Sequence, residues 1–445
     1  MATNETSETR ETNELKEASI SNIRAFEDQD VIIKGWLQNK RSSGNIHFLQ
    51  VRDGSGIIQC ILEKKKVPEN VFKAFDELTQ ESSLIITGKV RKEPRSPIGY
   101  EISVADIEIV HISQPFPITP KEHGTAFLMD NRHLWLRSSK QRAILKIRHT
   151  IVMAIYDYFN SRNFVLINTP ILTANAVEGT TSLFEVDFFG EKAYLSQSGQ
   201  LYVEAACMAF KNVYTFGPTF RAEKSKTRKH LNEFWMVEPE MAFGTLKDVF
   251  THEEGLIMHL VTEVLNKNQE DLAVLERNTD ILKKIKPPFP RVTYSDAIVT
   301  LQKKGSPVKW GDDLGADEET LLTQDYDTPI FVHRYPKSMT SFYMVPDPED
   351  DTLTMNVDLL GPEGYGEIVG GGSERISSLE LLEQRIEEHK LPRQVFEWYL
   401  DLRRYGSVPH CGFGMGLERA VAWLSGAAHV RETIPFPRMY YRLTP

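Results

Sequence analysis

The sequence predicts an α+β chain in two parts, a small β-barrel followed by a larger domain that mixes strands and helices. Three observations predict it. Five short runs rich in β-branched and aromatic residues fall within about 80 residues near the N-terminus. A proline-punctuated stretch, QPFPITPKEHG, follows at 114–124. Beyond it, strand-like runs alternate with amphipathic helical periodicity to the end.

The 445 residues exceed what one hydrophobic core organises, so at least two domains are expected. Residues 1–14 are rich in Thr, Asn and Glu and read as a solvated tail. They contain no apolar signal core, and no stretch approaches the roughly 20 apolar residues of a membrane helix, so a cytoplasmic protein without a membrane partner is expected. Cys60, Cys207 and Cys411 form no CxxC pair, which argues against a disulfide framework or a zinc site.

Residues 15–112 read as the barrel. The runs VIIKGWL, IHFLQVRD, GIIQCIL, SLIITGKV and YEISVADIEIV are its strands, with VFKAFDEL a helix after the third, and an OB-fold is the natural candidate. The net charge of −10 argues mildly against nucleic-acid binding. Residues 34–52 run against that balance: Lys34, Lys40, Arg41, His47 and Arg52 occur with no acid, a candidate RNA contact surface.

After a connector at 113–130, residues 131–445 read as the second domain. Ile144, Ile147, Ile151, Ile155 and Tyr158 recur at helical spacing across 139–163. FVLINTPIL is a strand ending at Pro170. Residues 245–330 read as a helical, loop-rich insertion.

Neither a GxxxxGK[ST] loop nor a convincing GxGxxG is present, so any nucleotide site is built differently. VYTFGPTFRAE and FWMVEPEMAF read as a hairpin with Arg221, Glu223, Glu238 and Glu240 on one face, either a ligand cleft or a solvent-facing sheet. In HCGFGMGLERAVAWLSG a glycine-rich strand runs into a helix with Arg419 in its first turn, which suits phosphate or an ordinary strand-to-helix turn. In DLLGPEGYGEIVGGGSER, Asp358 and Glu367 flank glycine-rich backbone, a Mg²⁺ site or surface acids.

Taken in order, these segments resemble the three signature motifs of class II aminoacyl-tRNA synthetases. The long helix with FVLINTP resembles motif 1, FRAE…RKHLNEF motif 2, and GMGLER motif 3. The order of domains is similar to the aspartate, asparagine and lysine subgroup, and the pattern looks like its bacterial asparagine branch. The resemblance implies an antiparallel sheet flanked by helices and a homodimer built through motif 1. It implies ATP as a substrate and Mg²⁺ as a cofactor. Arg221 and Arg419 are the catalytic residues it implies, acting by position and charge on the phosphates. Glu223, Arg228, His230, Phe234, Glu367 and Gly416 would join them in holding ATP, and Asp358 with Glu367 would hold the metal. Glu178, Ser198, Gln200, Glu238 and Arg375 would bind the amino acid. Arg41, Phe48 and Gln59 of the barrel would contact the anticodon of tRNA(Asn).

Two positions favour L-asparagine over aspartate. Aspartate enzymes of the subgroup carry lysine where Val203 stands and aspartate where Glu238 stands. A non-discriminating aspartyl enzyme and a catalytically silent RNA-binding paralogue remain alternatives at this point. Two departures from the family pattern stand out: an extra glycine in VGGGSER between Glu367 and Arg375, and Thr340 where relatives often have lysine.

Overall fold

The computed structural model describes residues 15–174 and 183–445. The chain divides into two compact units between His123 and Gly124.

The first unit contains β1 (Asp30–Ser43), β2 (Ile46–Arg52), β3 (Ile57–Glu63), α1 (Glu69–Glu77), β4 (Ser83–Lys92) and β5 (Tyr100–His111). β1 pairs with β2, β2 with β3, β3 with β5, β5 with β4, and β4 returns to β1. The five strands therefore close on themselves, the expected OB-type barrel, and closure removes exposed strand edges. Alternation places Val31, Ile33, Leu37, Leu49, Val51, Cys60, Leu62, Leu84 and Ile86 in one core. Each large aliphatic side chain buried there contributes about 1.5–3 kcal/mol.

The basic stretch at 34–52 is not the continuous RNA surface that its composition suggests. Arg52 is buried and ion-paired with Glu81, and Lys34 pairs with Glu17 at 2.5 Å. His47 is stacked between Phe72 and Phe75, with ring centroids at 4.2 and 3.8 Å. Lys40 donates to the Phe75 carbonyl at 2.5 Å. Strand alternation turns these groups toward different neighbours, and Arg41 is left exposed.

The second unit is built on a sheet of eight described strands. Its elements include α2 (Ser139–Asn160), β6 (Val165–Leu166), α3 (Gln200–Phe210), β7 (Asn212–Phe220), β8 (Glu233–Ala242), α4 (Leu246–Lys267), β9 (Arg291–Thr293), α5 (Ala316–Thr323), β10 (Ile330–His333), β11 (Asn356–Gly361), β12 (Gly366–Arg375), β13 (His410–Gly416) and α6 (Leu417–Ser425). The strand order is β9-β10-β11-β12-β13-β8-β7-β6. The six central strands are antiparallel, and only the two edge strands pair in parallel.

α2 starts where the Ser138 side chain accepts from the Gln141 amide. Its buried stripe holds Ile144, Ile147, Ile151, Ile155 and Tyr158, the residues that its periodicity singled out. Phe159 stacks on Tyr214 of β7 at 4.7 Å, so α2 covers the apolar face of the hairpin. The segment read as an insertion at 245–330 is not a separate body. α4 packs on β11, β12 and β13 through a face that includes Val249, Phe250, Leu256 and Ile257, and β9 extends the sheet. A helix with a broad apolar face must cover a core, whatever its place in the chain.

Candidate active site

β7 and β8 pair in antiparallel register, with Thr215 opposite Glu238, Gly217 opposite Met236 and Thr219 opposite Phe234. Residues opposite one another share a face, so this register turns Phe234, Met236 and Glu238 to the side away from α2. β7 ends at Phe220, so Arg221 and Glu223 stand on an extension beyond the strand. Asn232 holds that extension. Its carbonyl accepts from the Arg221 amide at 3.0 Å, and its side-chain amide donates to the carbonyls of Arg221 and Glu223 at 2.7 and 2.9 Å.

Above this face lies a cavity of about 310 Å³, and eleven of the expected residues line it: Ser198, Gln200, Arg221, Glu223, His230, Phe234, Glu238, Asp358, Glu367, Gly416 and Arg419. One end is cationic and aromatic. The Arg221 guanidinium lies 5.4 Å from the centre of the Phe234 ring. Arg419, in the first turn of α6, meets a Glu367 carboxylate oxygen at 3.1 Å. His230 Nε2 is 4.0 Å from Glu223. Burial, with Arg419 close by, holds the His230 ring below its ordinary pKa, which favours the neutral form. Glu418 does different work from its neighbour Arg419: it pairs with Arg148 of α2 at 2.7 Å and accepts from the Trp235 amide at 3.0 Å. It ties the helix, the hairpin and α6 together.

Asp358 and Glu367 converge on Gly370. A side chain at Gly370 would strike the Glu367 carboxylate and lie 3.4 Å from Asp358 Oδ1. Burial, then repulsion from Glu367, pushes the Asp358 carboxyl up to about 8. Burial also pushes the Glu367 carboxyl up, but Arg419 and Arg221 outweigh it and hold that group below its usual value. Two hard oxygen donors that repel each other suit a divalent cation. Among the described residues no group of three or more His, Cys, Asp or Glu is arranged to hold a metal. A cation here would draw its remaining ligands from phosphate and water.

The other end of the cavity is built from hydrogen-bond acceptors. Glu238 accepts from the Ser198 hydroxyl and from the Gly199 amide at 2.8 Å. Gln200 Nε2 donates to Glu204 at 3.1 Å. A carboxylate only accepts, so the Gln200 amide nitrogen must face Glu204. Glu204 is fully buried and also receives Tyr399 at 2.7 Å, Arg403 at 2.9 Å and His410 at 2.9 Å.

Several expected residues lie elsewhere. Glu178 falls outside the described residues. Arg228 is exposed and donates to the Gly364 carbonyl at 3.0 Å, lining a neighbouring pocket of about 180 Å³ with Lys229 and Arg419. Arg375 stands behind the cavity wall. It is 1% exposed and donates to Glu240 at 2.7 Å, to the Gly371 carbonyl at 3.0 Å and to Ser373 at 2.6 Å. Glu240, on the same strand face as Glu238, is consumed by this pair. Burial nonetheless pushes its carboxyl up to about 7.

The extra glycine explains part of this arrangement. The register of β12 slips between Gly370 and Ser373, and Gly371 at φ +62° forms the bulge whose carbonyl Arg375 reaches. Val203 is fully buried with Cys207, Val213 and Ala242 and does not line the cavity. Of the two positions that favour asparagine, Glu238 is the one whose side chain reaches it.

Lys229, Tyr335 and Asn356 line the cavity without having been singled out. Lys229 pairs with Glu319 of α5 at 2.7 Å. That contact joins residues 90 positions apart, and no local pattern announces it. Thr340, the lysine departure, also lines the cavity.

In the first unit, Phe48 lies on the outer face of the barrel, opposite Arg41 across β1–β2, with the guanidinium 3.9 Å from the ring centre. Gln59 pairs with Gln50 on the adjoining strand. No described helix is long and apolar enough to cross a membrane.

Comparison with known proteins agrees with this geometry. Residues 31–110 match the OB-fold nucleic acid binding domain family, and residues 125–440 match the family of class II tRNA synthetases (D, K and N). The asparagine–tRNA ligase of Pelotomaculum thermopropionicum is 55% identical over 97% of this chain and 100% of its own length. That of Desulforamulus reducens is 56% identical over 94% of this chain and 97% of its own. The crystal structure of asparaginyl-tRNA synthetase from Pyrococcus horikoshii, complexed with asparaginyl-adenylate, superposes with a TM-score of 0.93 at 41% identity, covering 97% of this chain and 100% of that one. The chain belongs to the class II tRNA synthetases of the D, K and N group.

Proposed function

We propose that this protein ligates L-asparagine to tRNA(Asn) in two steps. Asparagine and ATP give asparaginyl-adenylate and pyrophosphate. The adenylate then passes its acyl group to a ribose hydroxyl of the tRNA's terminal adenosine, releasing AMP. The observation that carries the reading is one cavity with cations at one end and acceptors at the other. It suits a polyphosphate beside a small amino acid that bears an ammonium and an amide.

Arg221 bridges the asparagine carboxylate and the α-phosphate, where charge develops as the carboxylate oxygen attacks phosphorus. Arg419 and His230 hold the outer phosphates. Phe234 stacks on adenine and Glu223 accepts from its amino group, while Gly416 leaves the backbone open to the nucleotide. No side chain forms a covalent intermediate, so the rate derives from positioning and fixed charge. Mg²⁺, held by Asp358 and Glu367, would offset phosphate charge. Ser198, Gln200 and Glu238 orient the amino acid, and Glu238 accepts from the substrate NH₂ and repels a carboxylate. Arg375 acts through Glu240 and the Gly371 carbonyl, by shaping the wall.

Arg41, Phe48 and Gln59 receive anticodon bases. The working unit is a homodimer. Val165 and Leu166 of edge strand β6 are each 40% exposed and Met153 of α2 is 43% exposed, an apolar margin that a second copy would cover. The protein acts in the cytoplasm. Aminoacylation of purified tRNAs with labelled asparagine and aspartate tests the reading. Charging of tRNA(Asn) with asparagine supports it, and charging of tRNA(Asp) with aspartate overturns it.

A further inference from the structure

The acceptor end of the cavity is held from behind by an acid that does not line it. Gln200 opens α3 and Glu204 stands four residues on, so the two share one face of the helix, one turn apart. Gln200 lines the cavity, whereas Glu204 is 0% exposed and lies behind it. One Glu204 oxygen accepts from Gln200 Nε2 at 3.1 Å. The other takes three donors from two segments far along the chain. The Tyr399 hydroxyl at 2.7 Å and Arg403 at 2.9 Å belong to the helix Glu397–Arg404, and His410 at 2.9 Å belongs to β13. These anchors are themselves fixed. Arg403 Nε donates to the Ile376 carbonyl at 2.7 Å, and Nη2 donates to the Tyr399 oxygen at 3.1 Å. That hydroxyl therefore accepts from Arg403 and gives its own proton to Glu204.

Burial pushes the Glu204 carboxyl up, but Arg403 and then His410 outweigh it and hold the group ionised, below the usual carboxylate range. An ionised carboxylate has no proton to give, so Gln200 must turn its NH₂ toward it. The amide oxygen is then the atom left for the cavity. The two ends of an unanchored glutamine amide are nearly equal in shape but opposite in function, one a donor and one an acceptor. The difference matters at this end of the cavity. An ammonium is a donor only, and Glu238 already serves the substrate NH₂, so a second acceptor has to face the ammonium.

We infer that Glu204 is a positioning residue for the amino acid: it fixes the Gln200 amide with its oxygen toward the cavity, so that an acceptor rather than a donor meets the ammonium of asparagine. The inference rests on the reading that asparagine binds at this end of the cavity. Glu204→Gln tests it. In that variant the new side-chain oxygen is claimed by Tyr399, Arg403 and His410, which leaves its NH₂ facing Gln200. The Gln200 amide must then reverse and present its own NH₂ to the ammonium. Losing a charge-assisted bond there raises the KM for asparagine about 10- to 150-fold in ATP–pyrophosphate exchange. The ammonium is unchanged between ground state and transition state, so kcat and the KM for ATP should stay within about threefold of the parent. The double variant Gln200→Glu/Glu204→Gln reverses the pair, keeping its hydrogen bond and its single carboxylate. It points a carboxylate oxygen at the ammonium and should return the KM for asparagine to within about threefold of the parent.

An unchanged KM for asparagine in Glu204→Gln overturns the inference. So does an equal rise in the KM for ATP or a matching fall in kcat, which would make Glu204 a support of the whole site. The double variant separates amide orientation from buried charge, whether or not the single variant folds. Recovery of the KM for asparagine supports the inference. A double variant that keeps a raised KM, or that does not fold, makes the acid at 204 a structural counter-ion to Arg403 and overturns it. A parent protein that exchanges no pyrophosphate with asparagine removes the reading of the cavity itself, an outcome distinct from all of these.

Discussion

Glu238→Gln separates asparagine from aspartate by charge alone. The substitution keeps the length and volume of the side chain and removes its negative charge. An aspartate substrate would bring its carboxylate to roughly 4 Å from that of Glu238. At an effective dielectric near 20 that repulsion is about 4 kcal/mol, roughly a thousandfold in kcat/KM. The variant relieves it. It also loses an acceptor for asparagine. Gly199 donates to Glu238 at 2.8 Å through a backbone amide that cannot reverse, and Ser198 donates through a hydroxyl that can. The new amide oxygen must therefore face Gly199, which turns its NH₂ group toward Ser198 and the substrate. Losing a charge-assisted bond costs asparagine about 1.5–3 kcal/mol, roughly 10- to 150-fold. The two changes act in the same direction on the preference. ATP–pyrophosphate exchange with each amino acid at saturating ATP reads the ratio of kcat/KM values. A folded variant whose ratio stays within about threefold of the parent would refute the assignment, since a relieved like-charge contact must change it.

Three further outcomes are expected. With Asp358 pushed up to about 8, this carboxyl is protonated in the metal-free protein at lower pH and must lose its proton to bind a cation, so the Mg²⁺ dissociation constant should rise as pH falls below that value. Calorimetric titration with an unreactive ATP analogue checks it, and a constant that stays flat between about pH 6.5 and 8.5 would contradict it. Phe48→Ala should raise the KM for tRNA by about 5- to 150-fold, the loss of one stacking partner, and leave pyrophosphate exchange as it was. An equal fall in both would move Phe48 out of tRNA binding. Val203→Lys should lower stability by about 3 kcal/mol or more in denaturant unfolding, because an ammonium would be buried among Cys207, Val213 and Ala242. Unchanged stability together with a new preference for aspartate would restore Val203 to the cavity wall.

Local patterns carried much of this protein. Alternation of apolar residues over 31–110 sufficed for a closed barrel, since a half-buried strand repeats every two residues and the turns are marked by glycine. The stripe from Ile144 to Tyr158 placed the covering helix. The shared face of Phe234 and Glu238 followed from the same two-residue period. Resemblance to the family motifs named eleven of the residues that line the cavity. Tertiary packing decided the rest. Glu238 and Glu240 are indistinguishable by alternation, yet one lines the cavity and the other is taken by Arg375, a partner 135 residues away. Val203 lies three positions from Gln200 and faces a different neighbour, because the direction of a helical side chain depends on where the helix axis is docked. Lys229 reached the site only through Glu319, and His47 left the candidate RNA surface only because Phe72 and Phe75 closed over it. Side-chain periodicity is a property of a segment, whereas the choice of partner for a buried charge depends on which segments meet.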